Sequence, residues 1–286
     1  MTDSTGRREF LHRVALLSGM PAALLAAVRT TASAQVTIPS EFDTSLESIA
    51  IAFRSANGMT LGYASQPKAR GMYPGAVVVH DAGGLTTAVR GVARNLATSG
   101  YIVVAPDFLS PQGGTASLRG APADIQRAVS ETSAAAFASQ ASGAAGYLKS
   151  HGGSGRGVAL IGYGWGGTQA LAFAAGRTDI AACAAFYPDP QQSMKALAKL
   201  TAPTLAIFAA DDPATSAGVQ QFEQAAKSSR RSHTVKVFPG VMRGFHDPGE
   251  TKLYKPDAAK EAWTLVVQHL DAHAKEAKAP ASGQAG

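Results

Sequence analysis

The segment LIGYGWGGTQALAF, residues 160–173, has the residue types that place a catalytic side chain at the start of a helix. Its apolar beginning predicts a buried strand, its glycines predict a sharp turn, and its apolar end predicts a helix. In enzymes with this arrangement, a serine or cysteine at the tip of the turn attacks the substrate. Here the tip is Gly164, which has no side chain, so residue 164 cannot act as a nucleophile.

Strands and helices are predicted to alternate along the chain. Residues 48–54 alternate apolar and polar side chains and are predicted to pair with residues 59–64 as an edge hairpin across Asn57-Gly58. This alternation predicts an α/β fold, a mainly parallel, doubly wound sheet flanked by helices. Six further strands are predicted at residues 76–79, 102–105, 158–161, 180–186, 205–208 and 235–238, and helices at residues 86–99, 123–150, 166–175, 216–228 and 257–273.

Polar or glycine-rich segments follow four of the predicted strands. In a doubly wound sheet, ligands bind outside the carboxyl ends of the strands. We therefore expect the side chains of these segments to meet at one crevice. The segments are HDAGG at 80–84, GYGWGG at 162–167, AADDP at 209–213 and PGVMRGFHD at 239–247.

Residues 73–270 resemble the dienelactone hydrolase family of α/β-hydrolases. The resemblance lies in YPG leading into VVVHD, in GYIVVAPDFLSPQGG, and in the patterns GxxxGG, FAxxD and PGxxxGFH. It implies an α/β-hydrolase fold and a Cys–His–Asp triad that opens lactones and esters, with a carboxylate after the third strand that helps to activate the thiol. In this sequence the nucleophile position of the family falls on Gly164, its acid on Asp212, its histidine on Arg243 and its carboxylate on Asp81.

Two of the three triad positions therefore depart from the family pattern. Acyl transfer needs a nucleophile and a base within hydrogen-bond reach of it. Gly164 supplies no nucleophile, and Arg243 stays protonated at neutral pH and accepts no proton. Only the acid, Asp212, is retained. We expect no conventional Cys or Ser hydrolase activity, and whether the chain is an enzyme at all stays open at this point.

No other residue of the sequence is a convincing replacement for the nucleophile. The pattern Gly-x-Ser-x-Gly does not occur. Ser154 precedes its predicted strand, which places it at the opposite end of the sheet from the crevice. Cys183 lies within the apolar run AACAAF and is predicted to be a buried core residue.

Two histidines flank the predicted crevice. His80 ends a strand beside Asp81, and a structural role is favoured for it. His246 lies three residues beyond the family's histidine position, where an outer or structural role is favoured and an inward orientation remains an alternative. With Asp247, these residues could form a metal site on paper, but their spacing matches no metal-binding signature. We expect neither a metal nor a cofactor.

Without a nucleophile, the glycine turn could still bind a ligand. Gly164 is expected to adopt the positive φ of such a turn at little cost. The amide of Trp165, and the amide near Asp81 or Ala82, are then expected to point into the pocket at a helix N-terminus, which favours anions. Arg243 adds a positive charge whose planar shape suits carboxylates.

Three classes of function are consistent with these residues. The first is a protein that binds a small ligand, expected to be a carboxylate, or a partner through Asp81, Ala82, Trp165, Arg243 and His246. The second is an ester or lactone hydrolase that activates water with Asp81, Asp212 or His246. The third is a structural or interaction protein with a closed pocket. An ion pair between Asp212 and Arg243 is compatible with all three.

Residues 1–34 are predicted to be a Tat-type signal peptide that is removed on export. Arg7-Arg8 precedes an uncharged, mostly apolar run at 14–28, and Ala32-Ser33-Ala34 offers a small-residue cleavage site. Residues 35–273 are then the α/β-hydrolase domain, and residues 274–286 form a small, polar tail that is expected to be disordered. The predicted destination is the periplasm or beyond.

Charge and cysteine content exclude several partners. Removing the four basic and two acidic residues of the predicted signal leaves 22 bases and 18 acids, a net charge of +4 without any basic run. This argues against a nucleic-acid-binding protein. The single cysteine excludes an internal disulfide and a cysteine-rich metal cluster. No stable membrane span is expected after signal cleavage, because the apolar run is short.

Overall fold

A computed structural model describes residues 39–275 of the chain, except residues 119 and 230. The predicted signal peptide, residues 1–34, and nearly all of the predicted tail lie outside the described residues. Among the described residues, no helix combines the length and the apolar character needed to span a bilayer.

Eight strands form one sheet in the order β1-β2-β4-β3-β5-β6-β7-β8. The first two strands form an antiparallel hairpin, and β2 also runs antiparallel to β4, whereas all other neighbours are parallel. The bounds are β1 Leu46–Ser55, β2 Gly58–Pro67, β3 Tyr73–Val79, β4 Ile102–Pro106, β5 Gly153–Tyr163, β6 Ile180–Phe186, β7 Thr204–Ala209 and β8 His233–Phe238.

The described part of the chain has eight α-helices, of which the last follows the final strand. Four begin with a side-chain cap, in which an oxygen of the residue before the helix accepts a backbone N–H of the first turn; these are α1, α3, α5 and α6. The bounds are α1 Thr87–Thr98, α2 Pro122–Ser130, α3 Ala134–Ser150, α4 Trp165–Ala174, α5 Pro190–Leu197, α6 Pro213–Ser216, α7 Val219–Ser228 and α8 Pro256–Leu270.

The sheet is buried on both faces, which explains the uninterrupted apolar runs of its central strands. All five residues of β4 are buried, and six of the seven residues of β3 are buried. Helices α1 and α8 pack on one face of the sheet. Helices α3, α4, α5 and α7 pack on the other face. The carboxyl ends of the parallel strands lie along one edge of the sheet.

The predicted α/β fold is confirmed, including the edge hairpin across Asn57-Gly58. The single long helix predicted at 123–150 is wrong, because the structure has two helices with a break at residues 131–133. Ser133 starts the second helix by accepting the N–H of Ala136 at 3.2 Å. The helix predicted at 216–228 corresponds to α7, which begins at Val219, whereas α5 and the short helix α6 were not predicted.

Candidate active site

Gly164 forms the turn between β5 and α4, as the sequence predicts. Its φ is 51° and its ψ is −116°, a conformation that a side chain opposes. The position is also sterically filled. A Cβ atom on residue 164 would lie well under 3.0 Å from both carboxylate oxygens and from Cγ of Asp81. The carboxylate of Asp81 therefore occupies the volume that a nucleophile side chain at 164 would need.

Asp81 follows β3 and is held by its carboxylate and by its backbone. Its Oδ1 accepts the backbone N–H of Trp165, the first residue of α4, at 2.9 Å. Its carbonyl oxygen accepts the N–H of Gly84 at 3.0 Å and a bond from Nδ1 of His80 at 2.8 Å. The amide that was expected to bind an anionic ligand thus binds a carboxylate of the protein.

His80 is structural, as favoured from the sequence. It is fully buried, and its Nε2 accepts the N–H of Phe108 at 3.2 Å while Nδ1 donates to Asp81. Both ring nitrogens are therefore used by the fold. Burial lowers the pKa of His80, which keeps the ring neutral. The indole ring of Trp165 stacks on the imidazole, with their centroids 5.7 Å apart.

The expected ion pair between Asp212 and Arg243 is confirmed. Nε of Arg243 donates to Oδ2 of Asp212 at 3.2 Å, and Oδ1 of Asp212 accepts the N–H of Ala214 at 3.2 Å. The guanidinium also lies over the ring of Tyr187, with Cζ 5.7 Å from the ring centroid. Asp212 is buried, whereas the arginine side chain is 38% exposed. Asp212, where the sequence predicts the acid of the family, thus contacts a guanidinium.

His246 faces inward, which the sequence analysis treated as the less favoured alternative. Its Nδ1 lies 3.0 Å from the hydroxyl oxygen of Tyr187, and its ring stacks on Tyr163 with the centroids 4.6 Å apart. Burial lowers the pKa of His246 to about 4. The ring is therefore neutral at pH 7 and lies within a group of aromatic side chains.

The two tyrosines of this group were not singled out from the sequence. Tyr187 directly follows β6, so it lies at the same sheet edge as the four segments that were considered, and this position could have revealed it. It is buried and has a φ of 51°, which is rare for a residue with a side chain and is found most often at functional sites. Burial raises the pKa values of Tyr163 and Tyr187, so both phenols stay protonated.

A cavity of about 360 Å³ opens at this edge of the sheet. Its volume lies at the lower end of the range of small-molecule sites. Of the five residues that the sequence predicts to bind a ligand, Asp81, Arg243 and His246 line this cavity, whereas Ala82 and Trp165 do not. The wall of the cavity contains three carboxylates and one guanidinium. The ionisable and hydroxyl-bearing side chains of the wall belong to Asp81, Thr86, Tyr163, Tyr187, Arg243, His246, Asp247 and Glu250.

Two further expectations concern the cysteine and a metal. Cys183 is fully buried in β6, as predicted, and burial raises the pKa of its thiol to about 12. Its thiol is therefore not a nucleophile at neutral pH. In the part of the chain that the structure describes, no three His, Cys, Asp or Glu side chains are placed to hold a metal ion together.

The strand order, the glycine turn between β5 and α4, and the acid after β7 define a member of the α/β-hydrolase fold. Residues 61–274 match the dienelactone hydrolase family, which is most of the chain. The chain therefore belongs to the dienelactone hydrolase family.

Individual relatives are distant. A protein of Methylorubrum extorquens assigned as a carboxymethylenebutenolidase is 24% identical over 218 residues, which cover 72% of this chain and 75% of the relative. The crystal structure of a protein of Klebsiella pneumoniae described as a dienelactone hydrolase has a TM-score of 0.73 at 23% identity and covers 79% of this chain and 98% of its own. The dienelactone hydrolase from Anabaena variabilis has a TM-score of 0.64 at 19% identity and covers 80% of this chain and 99% of its own.

Proposed function

We propose that this protein binds a small molecule in the cavity beside Asp81 and does not carry out the acyl-enzyme hydrolysis for which its family is named. The single observation that carries the proposal is the position of the Asp81 carboxylate. It fills the volume of a side chain at residue 164 and takes the amide of Trp165. Acyl transfer needs both the side chain and the amide, the first to attack and the second to hold the oxyanion.

The charges of the cavity favour an uncharged ligand over the carboxylate expected from the sequence. Asp81 already accepts the Trp165 amide, and Asp212 already accepts a bond from Arg243. Asp247 and Glu250 add two further carboxylates to the wall. An anionic ligand would face like charges on several sides, and like charges at close range disfavour binding.

For the alternative of a hydrolase that activates water, the same contacts reduce the number of available bases. Asp212 is held by Arg243 and by the backbone of Ala214, so it is the least available of the three candidate bases. Asp81 and His246 both line the cavity. The alternative of a closed structural pocket is disfavoured by the open volume of about 360 Å³.

Intact-mass spectrometry and thermal shift together test the proposal. The mature protein, incubated with p-nitrophenyl acetate and separately with a fluorophosphonate probe, is expected to gain no acyl or phosphonyl group on any residue of the site. A panel of uncharged polar molecules is expected to raise the melting temperature more than matched carboxylates such as propionate and benzoate. An acyl group trapped in the cavity, or preferential stabilisation by the carboxylates, would contradict it.

We also propose that the chain is exported by the Tat route with removal of residues 1–34. The support is the sequence alone: twin arginines, a short apolar run and the Ala-Ser-Ala motif. Mass spectrometry of native material is expected to find Gln35 at the N-terminus. Replacing Arg7 and Arg8 with lysine is expected to stop export, and export that survives this change would rule out the Tat route.

A further inference from the structure

We propose that the carboxylate of Asp81 is itself the nucleophile of this site, and that it opens a small uncharged epoxide bound in the cavity through a covalent alkyl ester. This inference rests on the proposed function for the binding of an uncharged molecule in the cavity, and it adds a reaction. Three observations support it: the position of the Asp81 carboxylate, the Trp165 amide that donates to it, and the Tyr187 hydroxyl group in the same cavity.

The carboxylate lies where the family's reaction begins. It overlaps the position of a Cβ atom on residue 164 and forms part of the cavity wall. Its backbone is fixed by the N–H of Gly84 and by His80, so the side chain starts from a rigid point. The Asp81 carboxylate therefore lies where a nucleophile on residue 164 would be.

The two oxygens of Asp81 have different surroundings. Oδ1 accepts the amide of Trp165, whereas among the described residues no hydrogen-bond donor contacts Oδ2. Oδ2 is therefore the oxygen that can attack. In the resulting ester Oδ1 becomes the carbonyl oxygen, and it is already at the N-terminus of α4. When water later adds to Cγ, the negative charge develops on Oδ1, where the same amide stabilises it.

The chemistry of a carboxylate selects the class of substrate. Attack on an ester carbonyl would give an acid anhydride, which is more reactive than the ester it came from. Attack on the saturated carbon of a strained ring gives an alkyl ester, which is stable enough to form and can be hydrolysed. An epoxide also carries no negative charge that the three carboxylates of the cavity wall would repel.

Opening the ring needs a proton donor, and Tyr187 is placed to be one. Its hydroxyl group bonds to Nδ1 of His246, and both side chains line the cavity that Asp81 enters. Burial raises the pKa of Tyr187, so that the phenol carries its proton at neutral pH. The positive φ of this residue is a backbone conformation that a tyrosine rarely adopts.

The reaction has two steps. Oδ2 forms a bond to a ring carbon, the carbon–oxygen bond of the ring breaks, and the ring oxygen takes its electron pair and the proton of Tyr187. Water then adds to Cγ of the ester, and the bond between Cγ and the alkyl oxygen breaks. One proton of the water leaves with the released alcohol, and the other passes through His246 to the tyrosinate. The net reaction is epoxide plus water to a diol.

Hydrolysis of the ester is expected to be the slow step. Burial holds the pKa of His246 at about 4, and a base is most effective when its pKa is near the working pH. The imidazole is therefore a weak acceptor for the proton of water. The alkyl ester on Asp81 should accumulate, which makes it observable.

Styrene oxide is a suitable probe. Mature protein incubated with it is expected to gain the mass of one styrene oxide, and peptide mapping is expected to place the ester on Asp81. In ¹⁸O-water, a single turnover is expected to leave the label in the Asp81 carboxylate and not in the diol. Asp81→Asn, which keeps an oxygen for the Trp165 amide, is expected to lose both the adduct and the diol. Tyr187→Phe is expected to slow adduct formation by roughly 10²-fold.

Asp124→Asn, a surface carboxylate outside the cavity, is the control and should leave the adduct unchanged. Urea unfolding of each variant checks that it remains folded. An adduct on another residue, label in the diol alone, or full activity of Asp81→Asn would overturn the proposal. Uncharged molecules that raise the melting temperature while styrene oxide yields neither adduct nor diol would overturn this inference alone. An acyl group trapped at the site, or no stabilisation by any uncharged molecule, would instead overturn the proposed function.

Discussion

At the scale of single residues, the absence of a side chain at Gly164 leaves the space that the Asp81 carboxylate occupies. The sequence predicts the positive φ of Gly164 and the ion pair of Asp212 with Arg243, because both follow from residue type and position along the chain. It did not predict that Asp81 fills the place of the lost side chain. That contact depends on the distance between two strand ends, and spacing along the chain does not supply such a distance.

Replacing Gly164 with alanine should measure how tightly Asp81 fills the turn. The added Cβ would collide with the carboxylate, and we expect a loss of about 2–4 kcal/mol in the free energy of unfolding, from strain and overpacking together. Gly240→Ala is the matched control, since Gly240 has a φ of 70° and nothing within 4 Å of its Cβ position. Urea unfolding of both variants separates the two contributions.

The collision can be relieved by shortening Asp81. Gly164→Ala/Asp81→Ala is expected to be more stable than the sum of the two single changes predicts, by about 1 kcal/mol or more, because residues in contact couple. Equal losses for Gly164→Ala and Gly240→Ala, with no coupling to Asp81, would mean that the carboxylate does not fill this position.

Titration of His246 should make the protein less stable in mild acid. Burial lowers its pKa from 6.5 to about 4, so the unfolded chain binds a proton more readily than the folded chain does. The stabilisation is complete above pH 6.5 and is lost as the pH falls from 6.5 towards 4. Between pH 7 and pH 5, the expected loss from this residue is about 2 kcal/mol.

Urea unfolding of His246→Gln at pH 7 and pH 5 checks this expectation. Glutamine does not titrate, so the variant should lose less stability over this interval than the natural protein. Both proteins keep His269, whose pKa burial lowers in the same direction, so some loss of stability remains in the variant. His151→Gln, a change at an exposed position, is the control. Identical pH dependence of all three proteins would show that the fold does not lower the pKa of His246.

At the scale of helices and strands, the pattern of apolar residues predicts which segments are buried but does not predict where every helix begins and ends. The strand predicted at 180–186 matches β6 at both ends, because a strand buried on both faces is apolar throughout. The break at residues 131–133 has neither glycine nor proline, so no strong helix breaker marks it in the sequence. Helix α5 was missed although Asp189-Pro190 carries a strong start signal, a capping side chain followed by proline.

Thr115 ties its own loop to the loop at residues 83–86, which lines the cavity, and its role can be tested by an isosteric change. Its Oγ1 donates to Oδ1 of Asp107 at 2.9 Å and accepts the N–H of Leu85 at 2.9 Å. Thr115→Val leaves the buried N–H of Leu85 unpaired, whereas Oδ1 of Asp107 still accepts the N–H of Leu109. We expect a loss of about 1–3 kcal/mol in the free energy of unfolding. Thr201→Val, at an exposed position, should cost less than half as much. Thermal and urea unfolding measure both, and equal costs would contradict the role of this bond.

At the scale of the whole molecule, the fold of the family is kept although residue 164 is glycine and residue 243 is arginine. Eight strands, the two packed faces and the acid after β7 remain, and residues 61–274 still match the family. Its cavity is nevertheless rich in carboxylates, in contrast to the formal net charge of +6 of the full chain. The sum of charges along the sequence therefore gave no information about the local field that a ligand meets.

Restoring the family's hydrolysis should require three changes rather than two. Gly164→Cys supplies the thiol, and Arg243→His supplies a base that Asp212 is placed to orient. In this double variant Asp81 still competes with the thiol for space and still occupies the amide of Trp165. Adding Asp81→Ala vacates both, so the triple variant is expected to hydrolyse p-nitrophenyl acetate about 10²-fold faster than the double variant, with an acyl group on residue 164. Asp212→Asn in the triple background should remove most of this gain, because the histidine then lacks its orienting acid. A double variant as active as the triple would mean that Asp81 moves aside at little cost and that its carboxylate does not control this site.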